Sequence, residues 1–372
     1  MLIAHKIELD LNNKQRTYMA KACGVARFAY NWALAEWKRQ YEAWKLDNAL
    51  EKPNQMALRR QLNAVKRADY PWMLEVTKCA PQLAIMQLGV AFKNFFSGRA
   101  RYPVPRKKGV HDRFSISNDQ FAVKGKRFRV PNLGWVRMRE ALRFTGRIVS
   151  ATVSRVADSW FVSITVSVPD PTEHCTENQG AVGVDLGINA MATLSNGNII
   201  PGAKPHTALL GKLRRLSRSL SRKVKGSKNR SKARAKLARL YARMSNIRHD
   251  CLHQLTTYLA RNFSVIGIES LNVKGMLRNR RLSRSVADMG FFEFRRQLEY
   301  KAGMYGGVVH VADKWFPSSK MCSDCGYVLP ELSLGVRQWQ CPECGAEHHR
   351  DINAALNLRN LALSAGAAAT GT

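Results

Sequence analysis

The sequence predicts an α+β multidomain chain: a β-rich N-terminal part with a helical insertion, then a mixed α/β part interrupted by a four-cysteine ribbon. Three patterns carry this expectation. Period-two alternation marks residues 2–9 and the stretch from about 113 to 168. Helical periodicity fills the interval between them. Cys322, Cys325, Cys341 and Cys344 form C-x2-C-x15-C-x2-C.

In chain order, Ile3, His5, Ile7 and Leu9 alternate with Leu2, Ala4, Lys6 and Glu8, which suggests a strand. From about Asn12 to Trp44 the spacing turns helical. Tyr30, Leu34, Trp37, Tyr41 and Trp44 lie on one stripe, read as core packing between helices in preference to a base-stacking platform. More helix is expected over 54–68 and 80–97, and Pro103 and Pro105, followed by Arg106, Lys107 and Lys108, break the pattern. FSIS, FAVKGKRFRV, WVRMR and SATVSRVADSWFVSITVSV then alternate, several short strands that fit a small β-barrel. Residues 169–180 read as a linker. AVGVDLGINAMATLSNGNII follows as a hairpin-like set of strands turning at Asn196 and Gly197. Long helices are expected over 206–260, a strand at FSVIGIE (263–269), a helix at about 288–304 and a strand at VVHVAD (308–313). A last helix, HHRDINAALNLRNLAL, sets Ile352, Ala355 and Leu356 on one face, and SAGAAATGT reads as a structureless tail.

Charge narrows the function. Lys and Arg number 60 against 27 Asp and Glu, a net charge of +33, which points to a polyanion partner and argues against a small-molecule metabolic enzyme. The excess peaks between 201 and 249, with 16 Lys or Arg and no Asp or Glu. Such a run repels itself unless a polyanion neutralises it. Leu209, Leu213, Leu216 and Leu220 form a stripe, so one side faces a core and a basic side is free. The opening residues MLIAHKIELDLNNKQ lack the apolar core of a secretory signal, and no run of 18 apolar residues occurs. The expected location is the cytoplasm.

Two constellations carry chemistry. Cys23, Cys79, Cys175 and Cys251 are scattered singly and read as inert thiols. The four ribbon cysteines form two knuckles, CSDCG and CPECG, whose thiolates can surround one structural zinc ion. Asp185 ends the strand AVGVD, Glu269 ends SVIGIE, and Asp351 starts the helix after the ribbon. Each acid alone is ordinary. Together, on a strand–strand–helix pattern typical of an RNase H-like sheet, they fit a site where converging carboxylates need hard cations, two Mg2+ or Mn2+ ions. Such ions activate water and stabilise the leaving oxygen of a phosphodiester. GVDLG also occurs in actin-like and sugar-kinase ATPases, but their second glycine-rich phosphate loop is missing here.

The segments GVDLGINAMATLS, IGIESLNVKGM, WFPSSKMCSDCG and CPECG-AEHHRDINAALNLRN, in that order, closely resemble the TnpB (OrfB) proteins of bacterial and archaeal insertion sequences. ARFAYNWALAEWKRQY near the N-terminus is similar as well, so the resemblance spans nearly the whole chain. It implies an RNA-guided DNA endonuclease with a RuvC-like domain, related to the ancestors of type V CRISPR effectors. Asp185, Glu269 and Asp351 match the family's catalytic and Mg2+-binding acids; Cys322, Cys325, Cys341 and Cys344 match its zinc ligands. The implied partners are a noncoding guide RNA and double-stranded target DNA read beside a short adjacent motif. The implied domains are a wedge-like β-barrel over 1–170 with a helical recognition insertion at about 12–98, a linker at 171–180, a RuvC-like domain over 181–317 and 347–363, a zinc ribbon at 318–346 and a disordered tail at 364–372.

Individual expectations follow. Asp185, on the central strand, should bridge both ions while Glu269 and Asp351 hold one each. Arg350 either touches the scissile phosphate or balances charge. His348 and His349 are either alternative zinc ligands or phosphate contacts; with four thiolates already available, surface contact is the preferred reading. Lys212, Arg214, Arg215, Arg218, Arg222, Lys223, Lys225, Arg278, Arg281 and Arg350 are candidate nucleic-acid contacts. Lys274, Arg278, Arg280, Arg281 and Arg284 are expected in a mobile loop over the cleft. The alternatives are a nuclease-inactive, guide-bound DNA-binding protein, a transposase acting without RNA, and a structural zinc-ribbon RNA-binding protein.

Overall fold

In the computed structural model the described residues are 1–169, 180–333 and 335–370, with side chains described to residue 365. The chain divides into two compact units, Met1–Pro169 and Asp170–Thr372. The linker expected at 171–180, apart from Gly180, and Cys175 lie outside the described residues. No helix among the described residues is long and apolar enough to cross a membrane.

The first unit opens with β1 (Leu2–Asp10), then α1 (Asn13–Leu46), α2 (Gln55–Val65), a 3-10 turn at Pro71–Glu75 and α3 (Cys79–Phe96). Asn12 caps α1 reciprocally: its Oδ1 accepts from the Gln15 amide at 2.9 Å, and the Gln15 side chain accepts from the Asn12 amide at 3.1 Å. Six strands follow: β2 (Arg113–Ser117), β3 (Ala122–Lys124), β4 (Arg127–Val130), β5 (Gly134–Met138), β6 (Arg147–Val156) and β7 (Ser159–Ser167). With β1 they form an antiparallel sheet of order β2-β6-β7-β1-β5-β4-β3. Among the described residues no ladder joins the edges β2 and β3, so the hydrogen bonding gives an open sheet where a barrel is expected.

The aromatic stripe of α1 divides. Tyr30, Leu34 and Trp37 are core residues, with Trp37 stacked on Phe92 of α3 at 4.2 Å between ring centroids. Tyr41 and Trp44 are half-buried and carry ammonium groups over their rings, from Lys45 and Lys52. The core reading therefore holds for the first three residues, extends to Tyr41, which packs against the same cluster, and stops at Trp44.

The second unit holds a sheet of order β10-β9-β8-β11-β12, formed by β8 (Ala181–Asp185), β9 (Ala192–Leu194), β10 (Ile199–Ile200), β11 (Val265–Ile268) and β12 (Val308–Val311). β8, β11 and β12 are parallel; β9 and β10 are antiparallel additions. Between β10 and β11 run α4 (Pro205–Ala208), α5 (Leu210–Ser221) and α6 (Lys228–Asn262). Leu209, Leu213 and Leu216 pack against Leu237, Leu240 and Met244 of α6, which buries most of the predicted leucine stripe.

The segment expected as a mobile loop instead contains α7 (Val273–Met276) and α8 (Ser283–Met289), followed by α9 (Phe291–Met304). Val286 and Met289 join the core. Buried Asp288 accepts from the His206 and Thr207 amides at 2.8 and 3.0 Å, which fastens α8 to the start of α4.

The ribbon contributes the hairpin β13 (Gln338–Gln340) and β14 (Glu347–His349), and α10 (Arg350–Thr370) follows at once. The tail expected from 364 onward thus continues as helix to Thr370, in line with its alanine content; residues 371 and 372 lie outside the described residues. The buried face of α10 also differs from the expected one. Asn353, Ala354, Ala355, Asn357 and Leu358 are buried, whereas Ile352 and Leu356 are only half-buried.

Two glycines explain that face. Gly183 of β8 and Gly267 of β11 are in register. A Cβ on Gly183 would lie 1.8 Å from the Ala355 carbonyl oxygen, and one on Gly267 would lie 2.1 Å from that of Leu358. Helix backbone rests directly on strand backbone, a spacing only glycine permits. Gly183→Ala is therefore expected to destabilise the chain by about 1–3 kcal/mol through overpacking. Thermal unfolding checks this against Gly211→Ala, where an added Cβ meets nothing within 4 Å and stability is expected to hold or rise.

Candidate functional site

Asp185 is the last residue of β8, and Glu269 directly follows β11, whose Ile268 is in register with Val184. Parallel pairing thus delivers both carboxylates to the same strand end. Asp351 lies in the first turn of α10, about one turn before Ala355, the residue that sits over Gly183. The sheet and the helix resting on it bring together the three acids singled out in the sequence.

The electrostatics reflect that convergence. Burial pushes the Asp185 carboxyl well above its usual range, and the Glu269 and Asp351 charges add to the push. Burial raises Glu269 too, offset partly by a hydrogen bond from Ser318 Oγ at 2.6 Å and by Arg350. Arg350 lowers both acids through its charge while its guanidinium donates to the Ser333 carbonyl at 2.7 Å. Arg337 donates from Nη1 to both oxygens of Asp351, at 2.9 and 3.1 Å. The three carboxylates are not drawn into a tight cluster. Among the described residues, the four ribbon thiols are the one such group whose donor atoms all lie within 4.8 Å of one another.

The thiols fit zinc. A tetrahedral ion with Zn–S bonds of about 2.3 Å sets its sulfurs roughly 3.8 Å apart. Cys322 and Cys344 Sγ are 3.7 Å apart, and Cys325 and Cys341 Sγ 3.6 Å. Each knuckle closes through a backbone bond, Gly326 N to Cys322 O at 3.0 Å and Gly345 N to Cys341 O at 2.9 Å. Both glycines have positive φ, 80° and 76°. The carboxylates fit hard cations by their chemistry: half-buried oxygen donors whose mutual repulsion a cation would neutralise.

His348 departs from expectation. It is buried, its Nε2 is 3.0 Å from Cys322 Sγ, and its ring lies 4.7 Å from that of Trp339. It supports the thiolate cluster and is not a surface contact. His349 is half-buried with its Nδ1 enclosed and unpartnered. The basic candidates Lys212, Arg214, Arg215, Arg218, Arg222, Lys223 and Lys225 are all exposed along α5 and the turn after it; Arg278 and Arg281 are exposed between α7 and α8, and Arg350 is half-buried at the acid site.

Sequence reasoning missed four residues. Ser318 and Arg337 touch the acids. Asn353 and Asn357 of α10 grip the first knuckle: Asn353 Nδ2 donates to Met321 O at 2.7 Å, its Oδ1 accepts from the Ser323 amide at 2.9 Å, and Asn357 Nδ2 donates to Ser318 O and Met321 O at 2.8 and 2.6 Å. The available signal was two asparagines one turn apart, on what proves to be the buried face of an otherwise apolar helix.

A basic α/β unit with half-buried acids at parallel strand ends, carrying four clustered thiols, belongs to the broad class of proteins that act on polyanions. Comparison narrows the class. Residues 163–280 match the OrfB family of IS605-type elements, described as a probable transposase, and residues 291–358 match the Cas12f1-like TNB domain. Residues 1–45 match a helix-turn-helix family, although here they form β1 and the unbroken helix α1. A Streptomyces pristinaespiralis protein named as an RNA-guided DNA endonuclease is 35% identical, over 99% of this chain and 91% of that protein. Escherichia coli K12 InsQ, similarly named, is 34% identical over 96% of this chain and 91% of its own length. The fold matches Cas12f1 in its sgRNA–target DNA complex with a TM-score of 0.57 at 15% identity, covering 94% of this chain and 83% of that one. The chain belongs to the OrfB (TnpB) family of insertion-sequence proteins.

The raised Asp185 pKa predicts a stability effect. An unfolded Asp ionises near pH 4. Folding disfavours the ionised form of Asp185, so its contribution falls as pH rises from there through the folded value. Asp185→Asn should melt higher than wild type in divalent-free neutral buffer, with a gap that narrows on acidification. Mg2+ should raise the wild-type melting temperature and leave the variant's unchanged.

Proposed function

We propose that this chain is an RNA-guided DNA endonuclease whose acid site hydrolyses phosphodiester bonds. The observation that carries the reading is the delivery of Asp185 and Glu269 to adjacent parallel strand ends, with Asp351 brought to them by α10. The order of the second sheet, with two antiparallel additions beside three parallel strands, supports an RNase H-like, RuvC-type core over 181–317 and 347–363, with a zinc ribbon at 318–346. The first unit is read as the wedge-like domain, its seven-stranded sheet a partial barrel and its helices a recognition insertion at about 12–98. The relatives' names supply guide RNA and target DNA as partners, and the net charge of +33 supplies the electrostatics for both. The enzyme would work where both partners are, at the prokaryotic nucleoid.

Asp185, Glu269 and Asp351 would hold Mg2+ or Mn2+, two ions in this reading. Those ions supply an activated water and stabilisation of the leaving 3′-oxygen. Asp185, at the end of the central strand and under the charge of both other acids, would serve both ions. Ser318 holds the Glu269 carboxylate in one orientation. Arg337 donates to both oxygens of Asp351, which orients that carboxylate and leaves lone pairs free for a cation. Arg350 lowers the local negative potential that phosphate would otherwise meet. Cys322, Cys325, Cys341 and Cys344 would hold one structural zinc.

The test is cleavage by the ribonucleoprotein formed when the chain is expressed with the DNA flanking its gene, on plasmids carrying a matched target beside randomised bases. Cutting should require Mg2+ and the RNA, select one flanking motif, and fall at least about a thousandfold, roughly 4 kcal/mol of barrier, in Asp185→Ala. RNA and target bound without cutting would shift the reading to a guided binding protein. Cutting or strand transfer that survives RNase would shift it to a transposase. Ser318→Ala should cut at least about fivefold more slowly, by loss of roughly 1 kcal/mol of orientation, with zinc content unchanged; rates in Mg2+ and zinc by mass spectrometry check it.

A further inference from the structure

The outward face of β3, β4 and β5 is arranged in a way the acid site does not explain. Phe128, Val130, Val136 and Met138 point into the core, so Arg127, Arg129, Trp135 and Arg137 point out. Register then sets like charges directly opposite one another: Lys124 faces Arg127, and Arg127 faces Arg137. In the next row Arg129 faces Trp135. Asp10 of β1 continues the first row beside Arg137, yet no ion pair joins any of these cations to an acid among the described residues. Like charges opposed across strands destabilise a sheet, which makes three in register a cost to this fold when nothing neutralises them.

Trp135 stands 42% exposed in the middle of this face. The Arg127 guanidinium lies over its ring at 5.5 Å. Together they line a cleft of about 580 Å³ that reaches Asn12 and Gln15 at the start of α1. A row of cations beside a partly exposed indole, one guanidinium already over its ring, is the recognition chemistry of a single strand: phosphates along the cations, a base on the exposed part of the ring. A duplex buries its base faces and would leave the indole unused. A protein partner would need a carboxylate row matched in spacing to the ladder, whereas a nucleic-acid backbone supplies repeating anions without any such match.

We propose that this face holds an unpaired segment of the bound RNA, with a base stacked on Trp135 and phosphates on Lys124, Arg127 and Arg137. The proposal rests on the RNA-binding part of the reading above and not on its nuclease part.

The experiment uses the ribonucleoprotein as purified from cells fed 4-thiouridine, crosslinked with long-wavelength light and mapped by mass spectrometry. A crosslink in the peptide containing Trp135 is expected, and none anywhere on β3–β5 overturns the proposal. Re-binding of the stripped RNA to the full chain supplies a second measurement. Trp135→Ala should weaken binding about tenfold with an unchanged salt slope. Lys124→Gln, Arg127→Gln and Arg137→Gln together should flatten the log–log salt slope by about 2, at roughly 0.7 per charge. Trp135→Phe should recover most of the loss. Wild-type affinity in Trp135→Ala, or an equal weakening towards duplex DNA of the same length, overturns the single-strand assignment. Asp185→Ala should bind RNA as wild type does, so failure here and failure of the cleavage reading are separable.

Discussion

The acid site depends on one close approach, helix backbone against strand backbone at Gly183 and Gly267. With any side chain there α10 would stand off the sheet, and its first turn would no longer reach the ends of β8 and β11. The same contact fixes the ribbon. Because α10 lies flush on the sheet, Asn353 and Asn357 turn their amides to the first cysteine knuckle, and the Ser318 carbonyl that Asn357 holds belongs to the residue that orients Glu269. Ribbon, helix and acids therefore form one mechanical assembly. Folding free energy that a metal would supply at the four thiols would reach carboxylates that touch none of those cysteines.

Charge is concentrated twice in this chain, with opposite signs and by different means. At the acid site burial does it: few groups, low dielectric, strong mutual repulsion. On α5, α6 and the β3–β5 face number does it, with cations spread over exposed surface where water screens each one. The first arrangement calls for compact divalent ions, and the second for a long flexible polyanion. The fold keeps the two apart in sequence: in the second unit the acid-free basic run of 201–249 lies between Asp185, which closes β8, and Glu269, which follows β11. Arg337 and Arg350 are the exceptions, two cations set directly at the acids, where they moderate the repulsion that the sheet creates.

Much of this was legible beforehand, for identifiable reasons. Strand ends that carry an acid stand out because VGVD and VIGI are continuous apolar runs, and parallel pairing aligns such ends. The zinc knuckles declare themselves by spacing alone. What escaped was set by contacts between distant segments. Ile352 and Leu356 looked like the core face of α10 because apolar side chains usually are; the glycine pair rotated the choice towards alanine and asparagine. His348 looked superfluous beside four thiolates, and only the register of β13 with β14 turns it inward to Cys322. The basic stretch from Lys274 to Arg284 read as a loop by composition, while Val286 and Met289 were enough to anchor short helices. The open edges of the first sheet were equally hidden, since alternation gives strands but not which of them pair.

The acid site is also ordered in time. Asp185 and Glu269 are translated before the ribbon and α10, and the basic helices α5 and α6 lie wholly between them. A growing chain on the ribosome thus presents its cationic surfaces while Asp351 has yet to be made. Domains commonly fold as they emerge, N-terminal parts first. A nascent protein of this design can take up its nucleic-acid partner before it holds a complete set of carboxylates, so the capacity to be directed precedes the capacity to do harm.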